Sequence, residues 1–179
     1  MKNKGRIVFI TGGARSGKSR YAQEQALQLA NNPIYVATAR VYPDDEAFKV
    51  RVSRHIADRD QRWTSMEEPF QLSRLVLQQR VVVIDCVTLW LSNFFIRLNE
   101  DEASCLKKIR EEVDELRKTD AQFFIISNEI GMGVHAATES ARKFTDLQGW
   151  TNQYIAGLAD QVILMVSGIP LILKNNLLK

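Results

Sequence analysis

Cysteine is scarce in this chain of 179 residues. There are two, Cys86 and Cys105, far apart and with neither a CxxC pair nor a Cys/His spacing that suits a metal. A disulfide framework and a zinc site are both disfavoured, and the thiols read as reduced, mostly buried groups of a cytoplasmic protein. Charge of one sign is lacking too: Lys and Arg number 24 and Asp and Glu 21, a net charge of +3 with no basic tract. That excludes a nucleic-acid arm or a polybasic membrane anchor. No apolar run approaches the length of a membrane span, and the basic start Met1–Arg6 leads into an apolar stretch too short for a signal sequence. Internal repeats, low-complexity tracts and an interdomain linker are absent as well. With 45% hydrophobic and 25% charged residues, the composition is that of a soluble globular protein. The length suits a single α/β domain over residues 1–179 with a substantial core.

What is present is a complete G-x-x-x-x-G-K-[ST] loop, Gly12-Gly13-Ala14-Arg15-Ser16-Gly17-Lys18-Ser19. It follows the β-branched and aromatic run Ile7–Thr11, which reads as a buried strand. It precedes Tyr21, Ala22, Gln25, Ala26, Leu29 and Ala30, which recur on one helical face. Gly12 and Gly17 let successive N–H groups turn toward an anion, and the helix N-terminus adds partial positive charge. In that pattern Lys18 reaches the β- and γ-phosphates and the Ser19 hydroxyl ligates Mg²⁺. A nucleoside triphosphate is the implied ligand.

Strand and helix signals then alternate. Residues 34–38 and 63–67 read as extended, 44–59 and 69–79 as helices, the latter opened by Pro69, and Val81–Asp85 as a central strand buried on both faces. Cys86–Leu98 is unusually apolar, a helix at an interface or beneath the substrate. Glu100–Lys118 is an amphipathic helix, Phe123–Ser127 a strand, Asn128–Gly133 a polar glycine-containing loop, and 138–159 a helix before two closing strands. This order predicts an α/β protein of the P-loop NTPase-like class, with a mostly parallel central sheet, helices on both faces, and a ligand at the carboxyl ends of the strands.

Asp85, at the end of its strand, suits a carboxylate that holds Mg²⁺ or contacts the nucleotide, since the phosphate loop demands a magnesium partner; the alternative is a residue capping the next turn. His55 lies on the stripe Phe48, Val52, His55, Ile56 and Arg59. A neutral imidazole there is a competent nucleophile toward phosphorus, and the position also fits a core-edge histidine. His135 has a weaker case. By spacing alone, Arg15, Glu67 and Glu129 carry no signal. These residues leave open an enzyme with covalent catalysis, a small-molecule kinase in which His55 is structural, and a nucleotide-binding regulatory module without turnover.

Several segments together are more specific than the phosphate loop. Ile10–Arg20, Tyr35-Val36-Ala37-Thr38-Ala39, Arg51-Val52-Ser53-Arg54-His55 with Arg59 and Trp63, Asp85-Cys86-Val87-Thr88-Leu89-Trp90-Leu91-Ser92-Asn93, Ser127-Asn128-Glu129-Ile130-Gly131-Met132-Gly133 and Val166-Ser167-Gly168 resemble the bifunctional adenosylcobinamide kinase and adenosylcobinamide-phosphate guanylyltransferase family of cobalamin biosynthesis. The resemblance implies that the γ-phosphate of ATP or GTP is moved onto adenosylcobinamide. GMP from GTP is then carried on a histidine, here His55, to adenosylcobinamide phosphate. It implies nucleotide contacts at Gly12 through Ser19, at Ala37, Thr38 and Ala39, at Ile56, Ala57, Asp58 and Arg59, and at Glu67 and Asp85. It further implies a homo-oligomer, a trimer with sites between subunits, in which Cys86–Leu98 would be interface. The chain departs from the pattern at Val134-His135-Ala136-Ala137, where a Pro-Glu helix start is expected.

Overall fold

The structure, a computed structural model, describes residues 4–40 and 60–176. The expected helix over 44–59, with His55, Ile56, Ala57, Asp58 and Arg59, lies outside them. The described elements run β1 (Arg6–Gly12), α1 (Lys18–Leu29), β2 (Ile34–Ala37), β3 (Thr64–Glu67), β4 (Val81–Asp85), α2 (Val87–Arg97), α3 (Glu102–Lys118), β5 (Gln122–Ile126), α4 (Glu139–Leu158), β6 (Gln161–Val166) and β7 (Ile169–Asn175). They form one seven-stranded sheet in the order β3-β2-β4-β5-β1-β6-β7. Every pairing is parallel except the β6–β7 hairpin.

Strand alternation divides the core between the two faces. Ile7, Phe9, Val36, Val82, Ile84, Phe123 and Ile125 meet the apolar sides of α2, α3 and α4. Val8, Ile10, Val83, Phe124, Ile126 and Ile163 pack with Ala22 and Ala26 of α1 on the other face. Each central strand is therefore apolar on both sides, which is why its sequence reads as a continuous run rather than an alternation. The class expected from the order of elements is the class observed.

One local expectation needs correction. Residues 69–79 form no α-helix, only a single 3-10 turn at Leu72–Arg74. Side chains take the groups that helical bonding would use: Glu68 accepts from the N–H groups of Phe70 and Gln71. Asn93 and Trp90 donate to the carbonyls of Pro69 and Phe70. The segment is thus held extended across α2, with Leu72 and Leu77 buried as its anchors. The apolar character of Cys86–Leu98 is also accounted for inside the chain, because Val87, Trp90, Leu91, Phe94 and Phe95 of α2 are buried in the core beneath the sheet. Exposed apolar side chains collect instead on the β6–β7 hairpin, at Val166, Ile169, Leu171, Ile172 and Leu173.

Candidate active site

The carboxyl end of β1 turns into the phosphate loop through backbone that only glycine supplies without strain. Gly12 has φ +148° and Gly17 has φ +94°. A Cβ at Gly12 would collide with the Met165 carbonyl and the Ser16 hydroxyl, whereas one at Gly13 would meet open space. The loop is tied from within, where Ser16 N–H donates to Gly13 O at 3.3 Å. It is tied from β6–β7 as well, where Gly168 N–H donates to Ser16 O at 3.0 Å. Two helices remote from the loop have side-chain caps, with Asp101 accepting from Ser104 N–H and Thr138 from Ala141 N–H. Helix α1 starts at Gly17 without one. Its first-turn N–H groups therefore face the crevice with their partial charge available to an anion.

Lys18 lies inside the loop and not in solvent. It is buried, donating from Nζ to Gly13 O at 2.6 Å and to Ser16 Oγ at 3.4 Å. The ammonium caps the inside of its own loop. Ser19 is half-buried beside it, while Ala14 and Arg15 are exposed, Arg15 with φ +59°.

Sheet register lines up the next group. Ala37 is opposite Glu67 in β3 and opposite Asp85 in β4, so the ends of three strands bring these residues side by side. Asp85 is also level with Ile126, which pairs with Ile10 of β1. One strand therefore separates β4 from the phosphate-loop strand, a gap of about 10 Å at ordinary strand spacing. Asp85 Oδ2 accepts from Tyr35 Oη at 2.7 Å. The tyrosine is on the same face because its register partner, Val83, is two residues before Asp85. The Thr38 hydroxyl is committed in both directions, donating to Cys86 O at 2.7 Å and accepting from Cys86 N–H at 2.9 Å. It fastens β2 to β4, and Asn93 donates to its carbonyl at 2.7 Å. Ala39 follows, half-buried. Burial, then the charge of Asp85, pushes the Cys86 thiol up to about 12, while Lys18 opposes the shift. Lys18 and Asp85 thus bear on the same thiol with opposite sign.

Between them, at the end of β5, is a polar cluster that spacing did not reveal. Glu129 N–H donates to Gly12 O at 3.1 Å. Its Oε1 accepts from Thr11 Oγ1 at 2.6 Å and from Asn152 Nδ2 at 3.0 Å. Ser127 and Gln148 hold Asn152 Oδ1 at 2.6 and 2.9 Å. The available signal was the polar set Gln148, Thr151 and Asn152 on the buried stripe of α4 between Leu147 and Ile155.

Beyond Glu129, residues 130–136 and α4 enclose a cavity of about 190 Å³ lined by His135, Arg142, Thr145 and Asp146 among others. Arg142 holds the loop through the carbonyls of Ala136 and Ala137 at 3.1 and 3.0 Å. Met132 and Val134 are exposed. Among the described residues no cluster of three or more His, Cys, Asp or Glu could cage a metal, and no helix is long and apolar enough to cross a membrane.

A glycine-built phosphate loop and a strand-end carboxylate, set along one parallel sheet edge, define a nucleotide-binding α/β protein of the P-loop class. Residues 8–173 match the family described as cobinamide kinase / cobinamide phosphate guanyltransferase, and the chain belongs to that family. It is 35% identical over 173 residues to the bifunctional adenosylcobalamin biosynthesis protein CobP of Pseudomonas aeruginosa, covering 94% of this chain and 97% of that one. It is 30% identical over 183 residues to the bifunctional adenosylcobalamin biosynthesis protein CobU of Escherichia coli, covering 94% and 99%. Among solved structures, the flagellar accessory protein FlaH of Methanocaldococcus jannaschii aligns with a TM-score of 0.46 at 15% identity, over 96% of this chain and 79% of that one.

Proposed function

We propose that this chain performs two successive transfers on one corrinoid substrate. The γ-phosphate of ATP or GTP passes to the hydroxyl of adenosylcobinamide. GMP from GTP then passes through His55 to the new phosphate, giving adenosylcobinamide-GDP and pyrophosphate. The observation that carries this reading is the assembled phosphate loop in a chain that matches the family over residues 8–173. Nucleotide contacts are assigned to Gly12 through Ser19, to the strand ends at Ala37, Thr38, Ala39, Glu67 and Asp85, and to Ile56 through Arg59. At Thr38 the contact falls to the backbone or methyl group, since both hydrogen-bonding roles of its hydroxyl are used within the fold.

Mg²⁺ suits the donors present. Ser19 offers a hydroxyl, and Asp85 uses only Oδ2 in its bond to Tyr35, leaving Oδ1 for a hard cation that takes few protein ligands and several phosphate oxygens. Bound there, the ion would neutralise charge developing on the leaving group. The chain's own part is to enclose the phosphates in backbone N–H groups and to set Lys18 against them. An Asp85→Asn variant is expected to lose activity in a way that excess Mg²⁺ partly restores, with its melting temperature unchanged. A joint loss of fold and activity would favour a capping role.

The deciding experiment uses GTP labelled at the α-phosphate. The protein should acquire the label through a nitrogen–phosphorus bond that is labile in acid and comparatively stable in alkali, and pass it to added adenosylcobinamide phosphate. His55→Ala should lose both steps and keep much of its kinase activity, since phosphoryl transfer needs alignment but no covalent enzyme intermediate. Label mapped to His135 would refute His55 as the carrier, and a kinase that never takes up label would reduce the function to the first transfer. The exposed apolar residues of β6–β7 favour assembly of like chains, with a trimer as the expected mass in light scattering.

A further inference from the structure

We propose that Glu129 is the base that takes the proton from the acceptor hydroxyl in the phosphoryl-transfer step, and that it has no such duty in guanylyl transfer; this rests on the two-transfer reading above. The argument starts from what holds the carboxylate. Its two side-chain donors, Thr11 Oγ1 at 2.6 Å and Asn152 Nδ2 at 3.0 Å, are both neutral, and both are on Oε1. Oε2 has no hydrogen-bond partner and no cation pairs with Glu129 among the described residues. Asn152 cannot turn away, because Ser127 and Gln148 occupy its oxygen while its amide also donates to Asn128 O at 3.1 Å. One oxygen is therefore fixed and the other left without a partner among the described residues. The backbone of Glu129 is pinned to the carbonyl of Gly12, the first residue of the loop that is to hold the phosphates.

A lone carboxylate beside a triphosphate site is electrostatically unfavourable unless it meets a group of opposite polarity. A substrate hydroxyl presents one. In phosphoryl transfer the acceptor oxygen bonds to the γ-phosphorus as the bond from that phosphorus to the β,γ-bridging oxygen breaks. The bridging electrons leave with the nucleoside diphosphate, and the hydroxyl proton moves to Glu129 Oε2, from which water later removes it. In guanylyl transfer the acceptors are an imidazole nitrogen and then a phosphate oxygen, neither of which must surrender a proton to become nucleophilic. One residue thus separates the two chemistries of a single nucleotide site.

The test is Glu129→Gln, which keeps an oxygen to accept from Thr11 and Asn152 and removes the basic one. With saturating GTP and adenosylcobinamide, its phosphorylation kcat should fall about 10²-fold or more, in the range for loss of a general base. The KM for GTP should stay within about threefold of wild type. Guanylylation of the protein, and transfer to supplied adenosylcobinamide phosphate, should likewise stay within about threefold. Glu129→Asp, which keeps a carboxylate on a shorter stem, should retain more kinase activity than Glu129→Gln. Equal loss of both transfers in Glu129→Gln would make the residue a support for the loop and overturn the proposal. So would undiminished phosphorylation, or a Gln variant as active as the Asp variant. A wild-type protein that phosphorylates no corrinoid would instead overturn the two-transfer reading, and the base with it.

Discussion

Two carboxylates join β1 to its surroundings, one at each end of the sheet, and they are held in opposite ways. At the amino end, Asp160 has both oxygens engaged by the Arg117 guanidinium, at 2.6 and 2.8 Å, and Oδ2 also accepts from Ile7 N–H at 2.8 Å. Burial alone would raise its pKa, but Arg117 and the Ile7 N–H hold the carboxyl below the ordinary carboxylate value. At the carboxyl end, Glu129 is oriented by neutral donors on a single oxygen. The first arrangement is complete in itself and ties α3, β1 and β6 together. The second leaves Oε2 without a partner among the described residues. A parallel sheet concentrates function at one edge and leaves the opposite edge free to be optimised for stability.

That contrast is open to attack from both ends. The largest effect is expected at the carboxyl end, in Lys18→Ala. Phosphoryl transfer should fall about 10²- to 10³-fold, the range for removal of a preorganised donor to transferring oxygens, while urea melts show a far smaller change. Near-normal cobinamide phosphorylation would break the assignment of this edge. Gly12→Ala comes next, because its Cβ meets the Met165 carbonyl and its φ is +148°. We expect about 2 to 4 kcal/mol of lost stability in equilibrium denaturation. Gly131→Ala, whose Cβ would only touch Thr145 Cγ2 at 3.6 Å, should change stability by less than about 1 kcal/mol. At the amino end, Asp160→Asn should cost about 2 to 3 kcal/mol at pH 7 and leave kcat within twofold. Because the native pKa of Asp160 is lowered, its contribution is fully present above the unfolded value of about 3.9 and is lost as pH falls through the native value. The gap between wild type and Asp160→Asn should therefore narrow from pH 7 toward pH 3. A gap that widens would reverse the comparison.

The strands, the phosphate loop and the order of the described helices were legible because continuous apolar runs and a fixed glycine spacing are local signals. The segment 69–79 was misread as helical because its conformation is imposed from outside, by Asn93 and Trp90 on α2. The apolar α2 reads from composition as a helix at an interface or beneath the substrate, whereas Val87, Trp90, Leu91, Phe94 and Phe95 are buried in the chain's own core; composition reports that a surface is buried and not by what. Asp85 was visible as the last residue of an apolar run. Glu129 was not, since what distinguishes it is contact with Thr11 and Asn152, 118 and 23 residues away. Polar networks joining distant elements have no periodicity to detect.

The neighbours of β1 carry a consequence for the order in which the molecule is made. Its two partners are residues 122–126 and 161–165, and the phosphate loop is clamped by Met165 and Gly168. β1 is thus made well before either partner and is among the last of these strands to be enclosed, with Ile7, Phe9 and Ile10 uncovered until residues 122–126 and 161–165 follow. The tie from Gly168 N–H to Ser16 O forms only once the β6–β7 hairpin is in place, so a nascent chain halted before residue 165 carries the whole glycine motif without that clamp.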